Sequence, residues 1–105
     1  MTATTGFERD NLGAFIRKDP EASLDYQLDY TNWLATGDLI DTSVVTADTG
    51  ITKEADSVDA TNKIVTITLS GGTEGTVYTI KNTITTDNGR VAVKRFRVKV
   101  EKDFL

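Results

Sequence analysis

Residues 63–70 read Lys-Ile-Val-Thr-Ile-Thr-Leu-Ser, and Val65, Ile67 and Leu69 alternate with Thr66 and Thr68. Successive side chains of a strand point to opposite faces, so this period of two predicts a half-buried strand with the three aliphatics inward. The pattern recurs along the chain. Leu24, Tyr26, Leu28 and Tyr30 alternate with Asp25, Gln27 and Asp29. Leu39 to Thr46 is β-branched, and residues 76–86 place Tyr78, Ile80 and Ile84 on one face. Ile51 to Val58 is polar and weak, which predicts an edge strand, and Leu12 to Arg17 predicts a first edge strand.

Turn chemistry separates these runs. Pro20, the sole proline, follows Lys18-Asp19 and holds Asp19 extended. Ala35-Thr36-Gly37-Asp38, Asp48-Thr49-Gly50, Asp59-Ala60-Thr61-Asn62 and the corner Gly71-Gly72-Thr73-Glu74-Gly75 are loop signals. Asp87-Asn88-Gly89 is the strongest hairpin signal, because Asn-Gly tolerates the positive φ of a tight turn. Thr31-Asn32-Trp33-Leu34 reads as a helical turn, and no segment reads as a long amphipathic helix.

About seven short strands at regular spacing predict an all-β fold, an immunoglobulin-like β-sandwich of antiparallel strands. A small closed barrel is the alternative. The domain is expected over residues 12–105, preceded by a short polar N-terminal arm at residues 1–11. Two details follow from periodicity. In the last strand, Val91 and Val93 are odd while Phe96, Val98 and Val100 are even, so a β-bulge near Lys94 is expected. Tyr78 follows a glycine corner and stands two residues before Ile80, as the tyrosine of an immunoglobulin-like corner does.

Composition removes most chemistry. The chain has no Cys and no His. Disulfides, thiolate nucleophiles and zinc–thiolate sites are therefore unavailable, as are the commonest general base and the commonest metal ligand. No G-x-S-x-G elbow activates a hydroxyl. No catalytic, cofactor-binding or metal-ligating residue is assigned, and a non-enzymatic role is expected. The acidic pairs Asp19/Glu21, Asp25/Asp29 and Asp38/Asp41 are weighed for calcium, but no dense oxygen-ligand motif joins them. Lys94, Arg95, Arg97 and Lys99 form a basic stretch in which the last three project together. In an acidic chain, with Phe96 inward, a charged outer face suits them better than nucleic acid. The glycine corner lacks a following helix to bind phosphate. Trp33 is read as a plug at one end of the core, with a partner anchor as the alternative. The N-terminus lacks a signal-peptide pattern and no apolar run is long enough to span a membrane, so no membrane role is expected.

Charge is uneven. Residues 1–60 carry 12 Asp/Glu against 4 Lys/Arg, and residues 61–105 carry 4 against 8. Acidic and basic faces would favour docking between copies. Interleaving of strands from both halves would instead mix the charges.

Several residue strings carry a family resemblance. They are Lys18-Asp19-Pro20, Leu24-Asp25-Tyr26, Asp29, Trp33-Leu34, Asp38 and Ile40. Farther along come Leu69-Ser70-Gly71-Gly72-Thr73, Gly75, Tyr78, Asn82, Thr85-Thr86 and Gly89-Arg90. Over roughly residues 17–100 the chain resembles small structural proteins of tailed bacteriophages, of the fibre–tail adaptor type. Tyr30 stands where these proteins often have Trp, and residues 1–16 extend beyond their usual start. The resemblance implies an immunoglobulin-like structural component of the virion at the tail or neck, linking fibre and tail proteins. It would be assembled in the host cytoplasm as a homo-oligomer, without nucleic acid, membrane or small-molecule partners. Two alternatives remain at this point: a capsid decoration protein clamping neighbouring capsomers, and a carbohydrate- or calcium-binding surface module.

Overall fold

The computed structural model describes residues 8–102. Residues 1–7 of the expected arm, and 103–105, lie outside them. The described chain holds eight strands: β1 Glu8–Asp10, β2 Gly13–Lys18, β3 Leu24–Asp29, β4 Ile40–Ala47, β5 Ile51–Val58, β6 Ile64–Gly71, β7 Val77–Thr86 and β8 Val91–Val100. They form a five-stranded sheet in the order β1-β2-β8-β7-β4 and a three-stranded sheet in the order β3-β6-β5. The fold is an all-β sandwich. Glu8–Asp10 of the expected arm pairs antiparallel with β2.

The alternating sequence builds the core directly. Val65, Ile67 and Leu69 of the central strand β6 are fully buried and face Tyr78, Ile80, Ile84, Phe96 and Val98 of the other sheet. β5 is an edge strand, as its polarity predicts. The expected first edge strand is instead interior. β2 lies between β1 and β8, and it pairs with β8 in parallel, from Phe15↔Arg97 to Lys18↔Val100. A parallel neighbour needs a long connection, and here that connection is almost the whole domain.

β8 departs from expectation at its start. Its register with β7 is unbroken from Val77↔Lys99 to Thr85↔Val91, so there is no bulge near Lys94. Val91 and Val93 keep the phase of the strand and face outward, 60% and 43% exposed. Ala92 takes the inward phase, and Lys94 of the same phase sets its ammonium 5.0 Å above the Tyr30 ring. Bulges occur elsewhere, in β4 between Ile40 and Thr42 and in β5 between Lys53 and Ala55.

Polar contacts lock the two sheets at both ends. Lys18 is 2% exposed, and its ammonium donates to the Gly71 carbonyl at 2.7 Å and the Asp19 carbonyl at 2.9 Å. Burial lowers its pKa from the usual lysine value. The Tyr78 hydroxyl accepts the Thr73 amide at 2.9 Å, a link from β7 back to the glycine corner. Its ring leaves no space for a side chain at Gly50, where a Cβ would sit 2.9 Å from the ring at φ +110°. Gly72 is equally constrained, because a Cβ there would meet Val100 at 2.7 Å. Trp33 lies in the expected turn, partly buried against the core, edge-on to Tyr30 and 4.4 Å beneath the Arg90 guanidinium.

Candidate functional site

With the apolar columns turned inward, the alternate residues of each strand define two broad outer faces. On the five-stranded sheet they form cross-strand rows. One row is Thr42, Thr85 and Val91, and the next is Val44, Thr83 and Val93. Val44 is 59% exposed, so these rows make an open valine–threonine surface. The following row is Thr46, Lys81 and Arg95. Lys81 and Arg95 stand directly opposite one another, an arrangement that destabilises a sheet. Among the described residues neither forms an ion pair.

The far end of the same face is also basic, but internally neutralised. Arg97 pairs with Asp10, Lys99 lies 3.6 Å from Asp10, and Arg17 contacts Glu8 and Glu101 at 3.5 and 3.0 Å. These groups roof Phe15. Its ring is 5% exposed yet lies outside the core cluster, with Lys99 at 3.7 Å, Arg97 at 5.5 Å and Arg17 at 5.8 Å from its centroid. Cations over an aromatic face are attracted by its quadrupole. The Arg97 hydrogen bond, then the Leu12 amide, holds Asp10 down to a pKa of about 2.

The outer face of the three-stranded sheet is the opposite in sign. Asp25 and Gln27 of β3 lie beside Thr68 and Thr66 of β6, which in turn lie beside Ala55 and Ser57 of β5. Asp29 ends the β3 column, and Glu54 reaches onto this face to accept the Ser70 hydroxyl at 2.9 Å. The surface is acidic, hydroxyl-rich and made of short side chains. Strands of both sequence halves do interleave, as a sandwich requires. The charges nevertheless segregate by outer face, because the acid-bearing β3 and β5 lie in one sheet and the base-bearing β7 and β8 in the other.

The acidic pairs do not converge. The Asp19 carboxylate accepts the Glu21 amide at 2.8 Å, and Asp29 accepts the Thr31 amide and hydroxyl. Asp38 is buried and accepts the Leu39 and Asn88 amides at 3.0 and 3.3 Å, tying two loops, while Asp41 is exposed. Among the described residues no three Asp or Glu side chains gather where they could hold a metal ion. Arg95, Arg97 and Lys99 share the outer face as expected, and Phe96 is buried. An open groove of about 440 Å³ lies where β8 runs past β2, bordered by Gly13, Leu28, Lys94 and Phe96. No helix here is long and apolar enough to cross a membrane.

Comparison with known proteins decides what these faces belong to. A family described as Podophage GP4 fiber-tail adaptor protein gp77 matches residues 18–99. The chain belongs to this family. The adaptor is therefore a structural component of a tailed-phage virion, and its partners are other virion proteins. The match does not favour capsid decoration or a carbohydrate- or calcium-binding module. No curated protein matches the adaptor. Among solved structures it is similar to the cysteine protease inhibitor EhICP2 of Entamoeba histolytica. That protein is 15% identical, with a TM-score of 0.54 over 83% of this chain and 84% of that one, a likeness of fold alone. Amebosin aligns at 13% identity and a TM-score of 0.44 over 96% and 97% of the two chains.

Proposed function

We propose that this adaptor works by surface contact alone, without catalysis, joining fibre and tail proteins through the outer faces of its sandwich. The family match over residues 18–99 carries this reading. The sequence supports its non-enzymatic part, since a chain without His or Cys has few groups for acid–base or nucleophilic work. The Lys81–Arg95 row, without an ion pair among the described residues and beside exposed valines, supports use of the five-stranded face, because apolar surface rimmed by polar groups marks interaction sites. The adaptor acts as a homo-oligomer, assembled in the host cytoplasm, and takes no nucleic acid, membrane, cofactor or metal partner.

Whole-particle reconstruction with quantitative mass spectrometry tests the proposal. Density between tail and fibre, in copies numbering one symmetric ring, is expected. Density spread over the capsid lattice, in copies numbering like capsomers, would overturn it.

A further inference from the structure

We infer that a second copy of this chain docks its acidic three-stranded face on the basic five-stranded face, so that copies associate head to tail. The inference deepens the homo-oligomeric part of the proposed function and rests on it.

Three observations lead here. First, the two outer faces are opposite in charge. Lys81 and Arg95 lie cross-strand on one without an ion pair among the described residues, and Glu54 and Asp29 lie on the other. Asp48 lines the same hollow as Lys81 and Arg95 but pairs with neither among the described residues, so an incoming carboxylate would relieve the like-charge repulsion of that row. Second, the surfaces match in texture. Exposed Val44, Val91 and Val93 present methyl groups, and Ala55, Thr66 and Thr68 present a flat field of small side chains to receive them. Third, the contact is small. The three-stranded face has strands of 6, 8 and 8 residues, and at about 4.8 Å between strands and about 3.3 Å per residue it spans roughly 350 Å² in plane, so charge rather than buried area carries the association.

Charge also selects the symmetry. A twofold contact of the basic face with itself would set Lys81 and Arg95 against their own copies. The acidic face with itself would do the same with Glu54. Opposite faces leave only the heterologous contact, and such contacts close into rings or run on as filaments. Because the faces lie on opposite sides of the sandwich, each copy keeps one of each sign for its neighbours.

Analytical ultracentrifugation of the full chain at low and high salt tests the inference. Concentration-dependent species larger than a dimer are expected at low salt, with loss at high salt because exposed charges are screened. Lys81→Glu/Arg95→Glu and Gln27→Lys/Glu54→Lys should each be monomeric, folded by circular dichroism, and should reassemble when mixed. A wild-type chain that stays monomeric at low salt overturns the inference. So does an oligomer that tolerates the Gln27→Lys/Glu54→Lys pair. Either result leaves the adaptor role standing if reconstruction still places the protein between tail and fibre. A chain that oligomerises as described but is found on the capsid lattice separates the two the other way.

Discussion

The Tyr30 hydroxyl donates a 2.7 Å hydrogen bond to the side-chain carbonyl of Asn82, 52 residues farther along the chain. Tyr30 follows β3 and Asn82 sits mid-way along β7, so the bond crosses between the sheets. Both residues are fully buried. The Asn82 amide completes the network by donating to the Ser43 hydroxyl at 2.8 Å and the Val44 carbonyl at 3.2 Å. This satisfies the amide's donors among the buried aliphatic side chains of β7. Tyr30→Phe keeps the ring but leaves the Asn82 carbonyl buried without this donor. We expect a loss of about 1–3 kcal/mol, the usual cost of a stranded buried polar group. Urea denaturation measures it, and an unchanged midpoint would show that the bond adds nothing.

Alkaline pH should act through the same region. Burial pushes the Tyr30 phenol up to about 12. Burial and the nearby Asp25 push Tyr26 up to about 12 as well. A raised acid means that the fold favours the neutral form. That contribution is complete below the ordinary tyrosine value of 10.0 and is lost as the pH rises through about 12. In tyrosinate absorbance, two of the three tyrosines, Tyr26 and Tyr30, should therefore ionise later than free tyrosine and together with unfolding, while Tyr78, held down by its hydrogen bonding with Thr73, ionises earlier. Titration of all tyrosines near pH 10 in a folded protein would contradict this.

At the acid end the responsive group is Asp10. Its pKa is depressed to about 2, chiefly by the Arg97 hydrogen bond. Its contribution is present above the ordinary carboxylate value of 3.8 and is lost as the pH falls from there through about 2. Amide exchange in β1 should accelerate in that window before the core responds. Asp10→Asn should give the fast exchange at every pH.

Phe15 tests whether the outer-face roof is structural. Phe15→Ala should cost about 3 kcal/mol, the lower end for a buried aromatic truncation, because one side of the ring meets charged stems rather than the core. Thermal unfolding measures the loss. A cost typical of surface positions, below about 0.5 kcal/mol, would mean that the three cations close over the gap.

Most of the fold was legible because its strands alternate cleanly. Val65, Ile67 and Leu69 could be assigned inward from sequence, and so could Tyr78, Ile80 and Ile84. The difference in β8 has a simple physical cause. Val91 and Val93 read as core from their side chains alone, although their phase relative to Phe96 places them outside. Hydrophobicity identifies a face only where the partner sheet covers it. Asn82 could have been found, since it occupies the gap between Ile80 and Ile84 in an inward column. Phe15 could not, because its burial depends on Arg97 and Lys99 from the opposite end of the chain. The charged faces were half legible. The basic residues of β8 group from the alternation of the sequence alone, but their pairing with Lys81 needs the β7–β8 register.

The parallel pairing of β2 with β8 also has a mechanical consequence. The two strands point the same way, and they lead toward opposite ends of the chain. Tension applied between those ends slides one strand along the other, loading the Phe15–Lys18 and Arg97–Val100 ladder in shear. Bonds loaded in shear bear force together, whereas a hairpin pulled open from one end yields one bond at a time. A pull on the two ends of the chain would peel β1 from β2 first and then meet this short ladder, whose bonds give way only together.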